Sequence, residues 1–200
     1  MRTSISTIAL ISIACFLPAN PAAAAGRKSG GADLEVGALI GAGIPTLRGG
    51  YTMFRLRADG SMGLMNIAEK LKLHGVVSLG VGTGGTQTTL FSVTTKTTIL
   101  NLELVPAARV NFALLKQLDL HADVGLGLGL WNTHEKTSSS SFIQKNDFTD
   151  AAISMRIRVG AGWAVNDELK VRAELMDLGL YFTSNIGAFY GFFIGATYAL

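Results

Sequence analysis

Two arginines share one face of an otherwise apolar strand. In the stretch AAISMRIRVGAGWAV, from Ala151 to Val165, the residues Ile153, Met155, Ile157, Val159, Ala161, Trp163 and Val165 alternate with Ser154, Arg156, Arg158, Gly160, Gly162 and Ala164. Strict period-2 alternation is the pattern of a β-strand whose two faces meet different surroundings. It excludes a helix here and leaves one question, which face is inside.

The same alternation recurs along the chain. AEKLKLHGVVSLGVG (Ala68 to Gly82), LKQLDLHADVGLGLG (Leu115 to Gly129) and NDELKVRAELMDLG (Asn166 to Gly179) each open on a short polar turn and run on as a strand. Each is preceded by another alternating strand, which makes three hairpins. DLEVGALIGAG (Asp33 to Gly43) in front and AFYGFFIGATYAL (Ala188 to Leu200) behind bring the expectation to eight strands. Turns within hairpins, near Ile67 to Glu69, Leu114 to Lys116 and Asn166 to Asp167, are short. Between hairpins the segments are more polar: Pro45 to Gly50, Thr83 to Thr98, Asn132 to Thr149, and a small one at Ser184 and Asn185. Read as loops, the longer of these lie together at one end of the sheet.

The N-terminus points to export. Residues 1–25 have a cationic start at Arg2, an apolar run from Ile8 to Leu17 and an A-x-A site at Ala23 to Ala25, the form of a secretory signal peptide cleaved after Ala25. That run is too short to span a bilayer. The single cysteine, Cys15, falls inside it, so the mature chain is expected to have no disulfide or cysteine metal site. Ser12-Ile13-Ala14 before it is a poor match to lipoprotein processing. Residues 26–32 form a short lead, and 33–200 form one domain. Without Arg2 the 17 basic residues become 16 against 14 acidic ones, a balance too small to suggest nucleic acid as a partner. The chain is 48 % hydrophobic yet has no later run that could be a transmembrane helix. An exported apolar chain without spanning helices suggests a barrel.

Nearly all strand charges share one face: Glu35, Arg55, Arg57, Asp59, Lys70, Lys72, His74, Glu103, Arg109, Asp119, His121, Asp123, Arg156, Arg158, Lys170, Arg172 and Glu174. Nine are basic and six acidic, histidines aside, so they could pair with one another in a narrow lumen. A soluble lipocalin-like barrel would instead turn them outward. Aromatic residues argue against that: Phe112, Trp163 and Tyr198 lie on the apolar side near the turn end, and Phe54 and Tyr190 near the loop end, as interfacial girdles require. The C-terminus decides. Gly195, Tyr198 and Leu200 are spaced as in the terminal insertion signal of bacterial outer-membrane barrels, with Leu200 in place of the usual phenylalanine and Phe193 at an often polar place.

On these residues the chain resembles the small outer-membrane barrels of the OmpA and OmpX type, without the periplasmic domain that OmpA carries. The resemblance implies an all-β, eight-stranded antiparallel up-and-down transmembrane barrel with short periplasmic turns and longer extracellular loops. It implies a monomer in the outer membrane of a Gram-negative bacterium. Its partners would be membrane lipid and lipopolysaccharide, with periplasmic chaperones and the barrel-assembly machinery during insertion.

Three chemical readings compete with a structural one. Asp119-x-His121-x-Asp123, with His74 at the matching place of an earlier repeat, could suit a metal or acid–base work, but Lys70, Lys72, Lys170 and Arg172 at the same level favour a charge network. His74 and Ser78 are four residues apart, about 13 Å along a strand, too far for a hydrolase pair. Gly80 to Gly85 resembles a phosphate loop, yet no helix follows. The expectation is therefore no catalytic, cofactor or metal residues, and a structural or adhesin-like role, with a surface ligand held by the loop 132–149. A small channel and a lipid-modifying enzyme remain as alternatives. Arg158 is expected to stand opposite Glu174 on the next strand.

Overall fold

The computed structural model describes residues 33–45, 51–183 and 186–200. The expected signal peptide at 1–25, the lead at 26–32, most of the Pro45 to Gly50 connection and the one at Ser184 and Asn185 lie outside the described residues. Eight strands form a closed antiparallel barrel in chain order. They are β1 (Leu34–Pro45), β2 (Met53–Ala68), β3 (Leu71–Leu90), β4 (Val93–Ala113), β5 (Leu118–Ser138), β6 (Ile143–Ala164), β7 (Leu169–Phe182) and β8 (Ile186–Ala199). β1 pairs with β8 from Glu35↔Ala199 to Pro45↔Phe189, so the sheet has no free edge between its first and last strands.

Burial runs opposite to that of a soluble protein. The aliphatic face is outside, with Leu126, Leu128 and Ile153 all more than half exposed, while Arg109, Asp123 and Arg158 are at most 1 % exposed. On β5 the outward residues Leu120, Ala122, Val124, Leu126, Leu128 and Leu130 are uninterrupted by a polar side chain. They cover 11 positions, the length of strand that crosses a bilayer core. The chain is a transmembrane barrel.

Its turns follow from local chemistry. Glu69 and Lys70 alone join β2 to β3. At the β6–β7 turn the Asn166 side-chain oxygen accepts hydrogen bonds from the backbone N–H groups of Glu168 (3.0 Å) and Leu169 (2.7 Å), an Asx turn.

The other end departs from expectation. Segments Thr83 to Thr98 and Asn132 to Thr149 are not loops: β3, β4, β5 and β6 run on through them to lengths of 20, 21, 21 and 22 residues. Phe91 and Ser92 alone connect β3 to β4, and residues 139–142 connect β5 to β6. Threonine, the commonest residue of the upper β3–β4 hairpin, is β-branched and favours extended backbone although it is polar. The result is a four-stranded sheet that rises beyond the rim set by Met53 on β2 and Phe182 on β7, with pairing continuous up to Leu90↔Val93, Thr94↔Ser138 and Ser138↔Ile143.

Candidate functional site

Two places can carry function, the lumen and the raised sheet. The lumen holds three tiers of side chains. Nearest the rim is an apolar and aromatic cluster that includes Leu39, Tyr51, Met53, Ile99, Trp131, Tyr181, Phe189 and Phe193. Trp131 and Tyr181 meet edge to face at 4.7 Å. Arginines of the next tier lie against these rings, Arg55 and Arg156 each 4.9 Å from the Phe189 centroid and Arg57 4.9 Å from that of Phe193.

The middle tier joins six buried arginines to five buried carboxylates. Glu103 accepts from Arg55 and Arg156, its Oε1 lying 2.8 Å from Arg156 Nε. Arg57 bonds Asp59 (2.9 Å) and reaches across the lumen to Glu174, while Arg109 holds Asp123 with two bonds of 2.7 Å. Arg158 donates to Ser78 Oγ (2.8 Å) and lies 3.4 Å from Asp123. Arg172 stands 3.5 Å from Glu174 and 3.7 Å from Asp59. Below, at the turn end, Lys170 bridges Asp119 (2.6 Å) and Glu35 (3.4 Å), while Lys72 meets Asp33 (2.9 Å) in a pair exposed at the mouth.

Buried ion pairs are poor evidence of net stabilisation, because desolvation offsets their attraction. Their stronger effect is on register. A slip by one residue would turn Arg156 and Arg158 to lipid, where an arginine at the bilayer midplane costs about 2–4 kcal/mol.

Most residues read from sequence as lumen charges point inward, and three readings are corrected, the first being Lys72, which is exposed at the turn end. Lys70 lies in the two-residue β2–β3 turn and is exposed, because the strand that should have carried it inward starts one residue later. Arg158 stands opposite Asp177, not Glu174. The pairing Ala164↔Lys170 alone would have set Arg158 against Met176; a bulge between Val159 and Gly160, opposite Glu174 to Met176, adds one residue to β7 and brings Asp177 inward. Asp177 and Tyr181 are thus network members that regular alternation missed. Asp177 takes a 3.0 Å bond from Arg156. Deleting Leu175 would remove the bulge while leaving Glu174 and Asp177 inside, so the deletion variant is expected to refold and to lose less than about 1 kcal/mol in urea titration.

The acids and the serine of the catalytic readings are engaged by basic side chains. Asp119 is taken by Lys170, Asp123 by Arg109, and His121 Nε2 lies 3.8 Å from Glu174. His74 and Ser78 are both buried in the lumen, and Ser78 is bound by Arg158. Among the described residues no group of three or more His, Asp or Glu side chains is placed to hold a metal.

In the raised sheet, outward positions change character from row to row. The cross-strand row Val81, Leu102, Leu130, Ala151 is apolar; next come Thr83, Leu100, Asn132, Thr149, then Gly85, Thr98, His134, Asp147, then Gln87, Lys96, Lys136, Lys145. His134 Nδ1 and Asp147 Oδ1 are 2.7 Å apart. The sheet leaves the hydrocarbon at about the row of Leu100 and Asn132. Phe91 and Ser92 at its tip both have positive φ, 46° and 66°, in a two-residue turn of the type that ordinarily takes Asn and Gly. Phe91 is 90 % exposed.

No protein-family model matches the sequence, and no curated protein does. Solved structures match the fold. The outer-membrane enzyme PagL superposes with a TM-score of 0.54 at 13 % identity, over 80 % of this chain and 97 % of its own. A major outer membrane protein from Thermus thermophilus gives a TM-score of 0.52 at 13 % identity, over 86 % of this chain and all of the other. Neisserial surface protein A matches over 86 % of this chain and all of its own, at 12 % identity and a TM-score of 0.49. At such identities the likeness is one of fold: the chain is built as an eight-stranded up-and-down barrel of the outer-membrane kind, aliphatic outside and charged within.

Proposed function

We propose that this chain is a monomeric integral protein of a Gram-negative outer membrane, with a structural and adhesin-like role carried by the sheet that β3 to β6 raise beyond the rim. The carrying observation is the tip of the β3–β4 hairpin. A turn of two non-glycine residues with positive φ costs on the order of 1–3 kcal/mol for each, and here it holds a phenylalanine out in solvent. A sequence selected only for stability would place Asn-Gly there. On this reading residues 1–25 direct export and are cleaved after Ala25, and periplasmic chaperones and the barrel-assembly machinery deliver the chain to the membrane. The lumen serves as a scaffold, without steady conductance and without catalysis.

The test is Phe91→Asn with Ser92→Gly. The double variant is expected to slow amide exchange at the hairpin tip by about tenfold or more, as relief of at least ~1.4 kcal/mol of strain would require. Adhesion of expressing bacteria to octyl-coated glass and to cultured animal-cell monolayers is expected to fall. Unchanged adhesion, at equal surface display, would sink the tip as a contact site. Location is checked separately by membrane fractionation and by a heat-dependent gel shift of the folded barrel. A channel instead predicts stepwise conductance in planar bilayers, and a lipid-modifying enzyme a changed lipid A mass on expression.

A further inference from the structure

Three lysines from neighbouring strands stand side by side on the outward face. Lys96 pairs with Lys136, and Lys136 with Lys145, in one continuous cross-strand row that Gln87 extends on β3. Neighbouring Cα atoms in such a row are about 4.5–5.5 Å apart, and like charges placed directly opposite are destabilising. The arrangement therefore costs stability unless something anionic lies against it. No described residue does: all three side chains are exposed, and none has an ion pair among the described residues. Asp147, the acidic residue on this face of the sheet, is engaged by His134. Glu135 and Asp150 belong to the opposite face by alternation.

Height selects the partner. Lys96 is four residues beyond Leu100, the last outward aliphatic of β4, and Lys136 is six beyond Leu130. These separations are about 13 and 20 Å along a strand, or roughly 10–15 Å of height at the usual barrel tilt. Flexible lysine stems can bring their ammonium groups back toward the interface. The row thus faces sideways over the outer leaflet, at the depth of its headgroups, rather than upward into solution.

We propose that Lys96, Lys136 and Lys145 form a clamp for the phosphate groups of lipopolysaccharide in the surrounding outer leaflet, anchoring the raised sheet to the membrane surface. Three adjacent ammonium groups within about 10 Å can take two phosphates of one headgroup, or of two neighbouring ones, with multiple donors each. The inference rests on the reading of the chain as an outer-membrane barrel.

The test compares the wild type with the triple variant Lys96→Gln, Lys136→Gln, Lys145→Gln, both refolded in detergent and both checked for the heat-dependent gel shift. Each is titrated with purified lipopolysaccharide, with the same material dephosphorylated, and with inorganic phosphate at matched ionic strength. Roughly fivefold for each lysine at an anionic surface gives an expected affinity loss of about 100-fold for intact lipopolysaccharide. Both proteins are expected to bind dephosphorylated material equally weakly. Equal affinity of the two for intact lipopolysaccharide overturns the clamp, and displacement by inorganic phosphate at lipid-phosphate concentrations overturns the lipid as its ligand. A wild type that is missing from the outer-membrane fraction would instead overturn the barrel's assigned location, which makes the two failures separable.

Discussion

Replacing Glu103 with leucine is expected to lower the stability of the barrel by about 3–5 kcal/mol, the usual cost of removing one partner from a buried ion pair. Glu103 is the carboxylate shared by Arg55 and Arg156, and all three side chains are at least 96 % buried. The two arginines do not fare alike without it. Arg156 keeps Asp177 at 3.0 Å, whereas Arg55 is left with the Tyr181 hydroxyl at 3.3 Å and the face of Phe189. Most of the loss should therefore sit on Arg55. Adding Arg55→Met to Glu103→Leu is expected to recover more than half of it, since it removes the orphaned charge rather than restoring a partner. Urea titration of protein refolded into phospholipid micelles, followed by tryptophan fluorescence and by the gel shift, reads both numbers. A Glu103→Leu variant within about 1 kcal/mol of the wild type would mean that this tier is hydrated rather than sealed.

That experiment also bears on how much of the site the sequence made legible. Alternation put Arg55, Glu103 and Arg156 on one face, because in a one-layer barrel the face of a residue is a matter of parity, and the aromatic positions and the C-terminus made that face the lumen. Parity says nothing about which arginine meets which carboxylate. Arg57 and Glu174 come from β2 and β7, strands that are not neighbours in the ring, and meet only because the lumen is narrow. Parity also fails silently at a bulge: Asp177 reads as lipid-facing from Glu174 onward, until the extra residue on β7 is known. The raised sheet was hidden for a different reason. Beyond the membrane both of its faces are polar, so Thr83 to Thr98 and Asn132 to Thr149 lose the contrast that marks a strand, and the serine run from Ser138 to Ser141 looks like loop. The three lysines lie 40 and 9 positions apart in sequence and become one row only through register.

Gly195 is expected to be the least replaceable position in the barrel. In sequence it is the glycine of the C-terminal insertion signal that the chain is proposed to carry; in the structure it lies in the β1–β8 seam, opposite Leu39 on one side and Arg172 on the other. A Cβ there would collide with the Ala38 carbonyl oxygen and come within 2.6 Å of Leu39 Cα, both backbone atoms of the adjacent strand. Gly41, in the same seam, faces the Phe192 carbonyl and the Phe193 ring in the same way. Backbone cannot rotate aside as a side chain can, so valine at 195 must separate the two strands that close the ring. The expected cost is about 3 kcal/mol or more, seen as failure to refold spontaneously in detergent, where no assembly machinery is present. Tyr198→Ala separates this effect from signal recognition. Tyr198 belongs to the same proposed signal but points to the outer face, its hydroxyl donating to Glu168 at the turn end. It should refold in detergent much as the wild type does, yet assemble poorly in cells, whereas Gly195→Val should fail in both. If Gly195→Val refolded normally in detergent and failed only in cells, the glycine would be read by the machinery alone and the seam would have room that this geometry denies it.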